Sequence, residues 1–263
     1  MRNITVFAAT ALVFAACATS PLGRRQLKLF PDGQVAQMGL ATFDQMKRQV
    51  PQSKDPRTIG YVRCVAAAIV TELPAGQARD WQVVVFEDPS ANAFALPGRR
   101  IGVHTGLLQV ATNQDQLAAV IGHEVAHVIA RHSNERISQA YATQTGLQLA
   151  QVAAGASSPA QQQLIGLLGA GAQYGIILPY SRTHESEADL IGLDLMALAG
   201  FDPAASVQLW TNMSGQGNQQ PPEILSTHPS HRRRINDLEQ RVPAARQLYT
   251  AARHAGKKPT CSR

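Results

Sequence analysis

Aromatic residues are scarce in this 263-residue chain, at 5%, and charged residues reach only 16%. The 24 Lys+Arg against 18 Asp+Glu leave a formal charge of +6. With so few aromatics and no long basic block, that excess does not mark a nucleic-acid binder, and an acidic membrane surface suits it equally well. Three cysteines exclude a disulfide-dense mini-scaffold. Long apolar runs are missing too: Leu164 to Leu178 spans about fifteen residues, short of the roughly twenty needed to cross a bilayer. No G-x-S-x-G elbow or Walker loop is present, and Gly166, Gly169, Gly171 and Gly175 do not form G-x-G-x-x-G. What is there is a 44% hydrophobic fraction, too high for disorder, with 20 Gly and 15 Pro, too few for a collagen-like or low-complexity chain. The sequence shows no internal repeat, and its length suits one folded domain with a sizeable core.

The amino terminus reads as an export signal over residues 1–16: Arg2, an apolar stretch from Ile4 to Phe14, then Ala15-Ala16 before Cys17. Small residues before a cysteine resemble a bacterial lipobox, with Phe14 where Leu is usual, so Cys17 is the expected lipidation site. Residue 18 is Ala rather than Asp, which points to the outer membrane. Residues 17–33 are expected to form a tether and residues 34–263 the folded domain. Export would place Cys64 and Cys261 in an oxidising compartment, where they either bridge or remain two unpaired thiols, since spacing alone does not set the geometry.

Apolar spacing predicts helices over about 34–49 and 59–72, short strands at 81–86, 93–96 and around 101–103, and one helix from Asp115 to about Ala140. Two Ala/Gly/Gln-rich stretches, 141–156 and 159–178, predict a helical hairpin. A helix over about 181–199 stops at Gly200, another opens after Phe201-Asp202-Pro203, a Gly/Gln/Pro loop covers 214–222, and a last helix starts near Pro229. The expected class is α+β, mainly α, with a small β-sheet.

All eight histidines lie beyond residue 100, and two of them form His123-Glu124-Val125-Ala126-His127, an H-E-x-x-H in a helical segment. Positions i and i+4 lie about 40° apart around a helix, so both imidazoles project from one face and can chelate one zinc ion while Glu124 flanks it. The Gly and His that metzincins place three and six residues further on are here Ala130 and Ser133. His132, half a helical turn from His123, is expected on the helix surface. A third ligand can come from Ser181 to Asp189, where Glu185 and Asp189 share a face, one to bind metal and one to orient an imidazole, while Glu187 points about 200° away.

The segments HEVAHVIARH, SRTHESEADLIG, NAFALPGRRIGVHTGLL and STHPSHRRRI resemble the motifs of the zinc metallopeptidase family that contains the CAAX prenyl proteases, HtpX and the Oma-type proteases. The resemblance spans roughly Trp81 to Leu238 and is closest in layout to bacterial periplasmic lipoprotein members, although no tetratricopeptide segment follows. It implies a gluzincin-type zincin fold, one zinc ion per chain held by His123, His127 and Glu185, catalysis by Glu124 and an orienting role for Asp189. It also implies a substrate-binding edge strand at Asn92, Ala93, Phe94 and Ala95. His228 and Arg234 match positions that approach the metal: they could stabilise an oxyanion, His228 could occupy the open metal position, or both could belong to a capped helix start. The implied activity is zinc-dependent endopeptidase action on unfolded or misassembled envelope proteins, in the periplasm and lipid-anchored to the outer membrane. Two other readings remain: a lipoprotein that binds misfolded clients with little proteolysis, and a structural zinc protein, which would more often use four protein ligands including cysteines.

Overall fold

The computed structural model describes residues 17–153, 180–215, 228 and 232–263. The export signal, the second arm of the helical hairpin, most of the 214–222 loop and the helix start at Pro229 lie outside them. A two-stranded ribbon comes first, β1 (Cys17–Thr19) and β2 (Arg25–Leu27), followed by helices α1 (Asp32–Gln49) and α2 (Pro56–Thr71). The strands β3 (Gln82–Phe86), β4 (Ala93–Leu96) and β5 (Arg100–His104) follow, then the single turn α3 (Leu107–Val110) and the helices α4 (Gln114–Ile129), α5 (His132–Ala153), α6 (Arg182–Leu198), α7 (Ala204–Gly215) and α8 (Arg232–His254). The result is mainly helical with small sheets, as expected for a zincin. Among the described residues no helix is long and apolar enough to cross a membrane.

The three-stranded sheet has the order β3-β5-β4, with β3 parallel and β4 antiparallel to β5, so β4 is an edge. Period-2 alternation divides its side chains. Val85, Ala93, Ala95, Ile101 and Val103 enter the main core with α2, α4 and α6. Val84, Phe86 and Leu96 instead form a second cluster with Phe43 of α1.

The segment expected as a tether, 17–33, is built into the fold: β1 and β2 pair with Cys17 opposite Leu27, and α1 already starts at Asp32. Polar side chains from this ribbon reach buried partners on α5 and α6, which a solvated tether would not do.

The helix expected from Asp115 to Ala140 is two helices. Helix α4 ends at Ile129, and Arg131 turns the chain with φ 55°. That left-handed position is usually taken by Gly or Asn, so an arginine there carries no stop signal in the sequence. The turn is secured from outside, because Gln26 Nε2 donates to the Ala130 carbonyl at 2.6 Å and Arg131 Nε lies 3.2 Å from Asp32 Oδ2.

Helices α4 and α6 approach closely at a pair of glycines. A Cβ on Gly122 would sit 2.8 Å from the Gly192 carbonyl oxygen, and one on Gly192 would sit 2.7 Å from the His123 nitrogen. Their bare backbones let the face carrying Glu185 and Asp189 come up against the one carrying His123 and His127. Alanine at either position is expected to lower stability by about 1–3 kcal/mol through overpacking.

Cys64 of α2 and Cys261 of the carboxyl-terminal tail form a disulfide with Cα atoms 5.7 Å apart, closing 197 residues of chain. The tail is held beside it by Gln114, whose Oε1 accepts from Cys261 N at 2.8 Å. Cys64→Ala is expected to reduce the unfolding free energy by about 2–5 kcal/mol, since the cross-link restricts the unfolded chain. An unchanged denaturation midpoint would show that the bond adds nothing.

Candidate metal centre

Helix α4 supplies His123, Glu124 and His127, helix α6 supplies Glu185 and Asp189, and His228 and Arg234 come from the stretch before and into α8. All seven side chains are buried. Asn113 caps α4 by accepting from Gln116 N, and Ser181 caps α6 by accepting from His184 N, which sets where each ligand-bearing turn begins.

One donor atom from each of His123, His127, Glu185 and His228 lies within 4.8 Å of the others. His123 Nε2 is 3.1 Å from His127 Nε2, 3.2 Å from His228 Nδ1 and 3.4 Å from Glu185 Oε2. His127 Nε2 is 3.5 Å from Glu185 Oε1, and His228 Nδ1 is 2.9 Å from the same oxygen. Donors placed about 2.0–2.1 Å from a tetrahedral zinc ion are about 3.4 Å from one another, so these side chains are close enough together to share one ion.

The outward atoms of the two α4 imidazoles have their own partners. His123 Nδ1 lies 3.0 Å from Asp189 Oδ1, and His127 Nδ1 lies 3.0 Å from His132 Nδ1. In the neutral form that a metal ligand must take, protons on those outer nitrogens would leave both Nε2 lone pairs turned toward one point, 3.1 Å apart, where a cation could replace the proton His123 otherwise holds. Electrostatics agree. Burial opposes charge on His123, but Asp189 and Glu185 outweigh it and push its pKa up to about 9; the carboxylates that draw a proton there draw a metal cation equally. Burial, followed by the neighbouring His123, pushes His127 down, which keeps it a neutral imidazole. The donor set fits zinc.

Glu124 stands beside this group. Its Oε2 accepts from Ala95 N on edge strand β4 at 3.2 Å, and its Oε1 is 3.3 Å from His228 Nε2. Burial raises its pKa, with His228 and His123 opposing. Of the expected edge-strand residues, Asn92, Ala93 and Ala95 are buried and Phe94 is partly so; the backbone N–H of Ala95 is the group that faces the site.

Arg234 grips Asp189 with Nε and Nη2, both at 2.7 Å, and its Nη1 is 2.7 Å from Glu185 Oε2. Its guanidinium stacks 4.2 Å over the Trp210 ring. It therefore braces Asp189 and Glu185 together. Cys17 opens the ribbon opposite Leu27, away in sequence from every residue of this cluster.

His132 differs from expectation. The turn at Arg131 starts a new helix, which swings the imidazole inward until it is fully buried against His127. Glu187 does point away from Glu185, as its spacing predicts, yet it reaches His132 and Arg24 rather than solvent. Among the residues that escaped the sequence reading are Arg24, Glu135, and Tyr180, whose ring stacks 3.9 Å from His127. Nothing in their local sequence marks them, because their roles arise from the packing of distant segments.

A family model for peptidase family M48 matches residues 56–242. The chain belongs to this family. The motif resemblance is thereby upheld, and zinc is the metal its members use. Residues of this chain are 40% identical over 167 positions to the mitochondrial metalloendopeptidase OMA1 of Schizosaccharomyces pombe, covering 63% of this chain and 48% of that protein. The human mitochondrial metalloendopeptidase OMA1 is 31% identical over 238 residues, covering 86% and 44%. The beta-barrel assembly-enhancing protease of Escherichia coli is 30% identical over 224 residues, covering 82% and 45%. The chain spans about half the length of these relatives.

The comparisons correct the expected localisation. The fungal mitochondrial relatives match at 40% and 36% identity, above the 30% of the bacterial protease, so periplasmic, lipid-anchored placement at the outer membrane is not supported.

Proposed function

We propose that this M48 protein is a zinc-dependent endopeptidase that hydrolyses peptide bonds in extended segments of unfolded or misassembled proteins, as a quality-control enzyme. The observation that carries this reading is the 3.2 Å hydrogen bond from Ala95 N to Glu124 Oε2. It sets the open edge of β4 directly beside the carboxylate of the H-E-x-x-H helix. A chain added to that edge as a strand is recognised through its backbone, largely independent of sequence, and only an unfolded segment offers its backbone in that way. A cleft of about 440 Å³, lined by α1, the β4–β5 turn and the end of α4 with His127 among its residues, lies past the carboxyl end of β4.

His123, His127 and Glu185 would hold the metal, and zinc, when bound, would supply Lewis-acid polarisation of a peptide carbonyl and acidification of water. Glu124 accepts the proton of the attacking water and passes it to the leaving amine. Its environment suits that task, since burial brings the carboxyl closer to neutrality. Asp189 fixes the tautomer of His123, and Arg234 fixes Asp189. Tyr180 and Trp210 shield the ligand imidazoles from solvent.

Glu185→Ala is expected to lower zinc affinity far more than Glu187→Ala, because Glu185 alone of the two faces the ligand nitrogens. Equal zinc retention by both variants would remove Glu185 from the ligand set. The test of the reading itself uses one protein in two states. The zinc-loaded enzyme should release new peptides, read by mass spectrometry, from a reduced and unfolded substrate and not from the same protein folded. Equal cleavage of both states would refute edge-strand recognition. Binding of the unfolded form without any new termini would favour the client-binding alternative.

A further inference from the structure

The two α4 ligands are braced differently. His123 leans directly on Asp189, which Arg234 holds. His127 leans on another histidine, and that histidine leads outward to the amino-terminal ribbon. With Nε2 of His127 turned to the ligand cluster, its proton sits on Nδ1 and is donated across 3.0 Å to Nδ1 of His132. His132 then carries its own proton on Nε2 and donates it to Glu187 Oε2 at 3.1 Å. The same oxygen accepts from Arg24 Nε at 2.9 Å, while Arg24 Nη1 and Nη2 hold both oxygens of Glu135 at 2.7 and 2.6 Å. Donor and acceptor alternate without a break, so the tautomer of each ring follows from the one before it.

The ribbon is anchored for this purpose at a second point. Gln26, buried on β2, donates from Nε2 to the Ala130 carbonyl that closes α4 and to Glu135 Oε2 at 3.1 Å. It thereby fixes the turn that aims His132. Arg24 is the outermost member, a quarter exposed, at the foot of the ribbon.

We infer that Arg24, Glu187 and His132 are positioning residues for the zinc ligand His127, and that the amino-terminal ribbon sets the metal affinity of the site. His132 holds the imidazole of His127 in the tautomer and rotation that present Nε2, Glu187 holds His132, and Arg24 holds Glu187. Losing a partner of this kind at a zinc-bound histidine typically weakens metal binding about 10–100-fold. The inference rests on the assignment of His127 as a zinc ligand.

The experiment is competition for zinc between a chromophoric chelator and the full chain, with visible spectra of the cobalt-substituted protein as a second readout. Arg24→Gln and His132→Ala should each weaken zinc about 10–100-fold and shift the cobalt bands. His132→Asn, whose amide oxygen can replace Nδ1 as acceptor, should recover most of that loss. Arg25→Gln, at an exposed position of β2 next to Arg24, should change neither readout. Should His132→Ala fail to fold, Arg24→Gln carries the test, since that side chain is partly exposed. Unchanged affinity in Arg24→Gln, no recovery by His132→Asn, or an equal loss in Arg25→Gln would overturn the inference. Absence of zinc from the wild-type chain would instead refute the metal assignment beneath it.

Discussion

Glu124→Gln should leave one zinc ion bound per chain and reduce peptide hydrolysis by about 10²–10⁴-fold, the usual contribution of a positioned general base. The substitution is nearly isosteric. The amide oxygen can still accept from Ala95 N, so the edge strand keeps its place beside α4. What is lost is the capacity to take a proton, for an amide is not basic near neutral pH. Because Glu124 is not in the group of four metal-capable residues, the metal should remain. Zinc content and initial rates on an unfolded substrate check this together; turnover within a few-fold of wild type would assign the proton transfer to another group.

The second large effect is expected at His228, in the opposite direction. Its Nδ1 lies among the ligand atoms, 2.9 Å from Glu185 Oε1 and 3.2 Å from His123 Nε2, and its Nε2 is 3.3 Å from Glu124 Oε1. One ring thus stands both among the candidate ligand atoms and beside Glu124. A catalytic zinc site needs an open position, so we propose that this arrangement is a resting one from which His228 withdraws for substrate to enter. His228→Ala is expected to raise cleavage about tenfold at one zinc per chain, the gain when a competent state populated at about one tenth becomes the only one. A fall of about 10²–10³ with zinc retained would mean that His228 donates to the oxyanion instead.

Much of this centre can be read in the sequence because its ligands sit at helical spacing. His123 and His127 are one turn apart, as are Glu185 and Asp189, and i,i+4 pairs share a face whatever the tertiary structure. The strand at 93–96 is legible from the Pro97-Gly98 turn that closes it, whereas its place at an edge beside the metal ligands is implied by the motif resemblance alone. His132 shows where such reading stops. Its predicted direction assumes an unbroken helix, and the break at Arg131 depends on Gln26, more than a hundred residues away, closing the Ala130 carbonyl. Arg24 is illegible in the same way: in a basic stretch after the amino-terminal apolar run it looks solvated, and only folding brings Glu135 and Glu187 to it. The disulfide between Cys64 and Cys261 stays open at that stage, because spacing carries no information on whether α2 and the tail meet.

The central claim, that this M48 chain hydrolyses peptide bonds with zinc, is tested most directly by removing and restoring the metal while new peptide termini are counted. The purified chain is stripped with a chelator, offered an unfolded protein, and titrated with zinc as the products are read by mass spectrometry. Cleavage should vanish with the metal and return in proportion to zinc up to one ion per chain; new termini appearing at the same rate in the stripped protein would contradict the account.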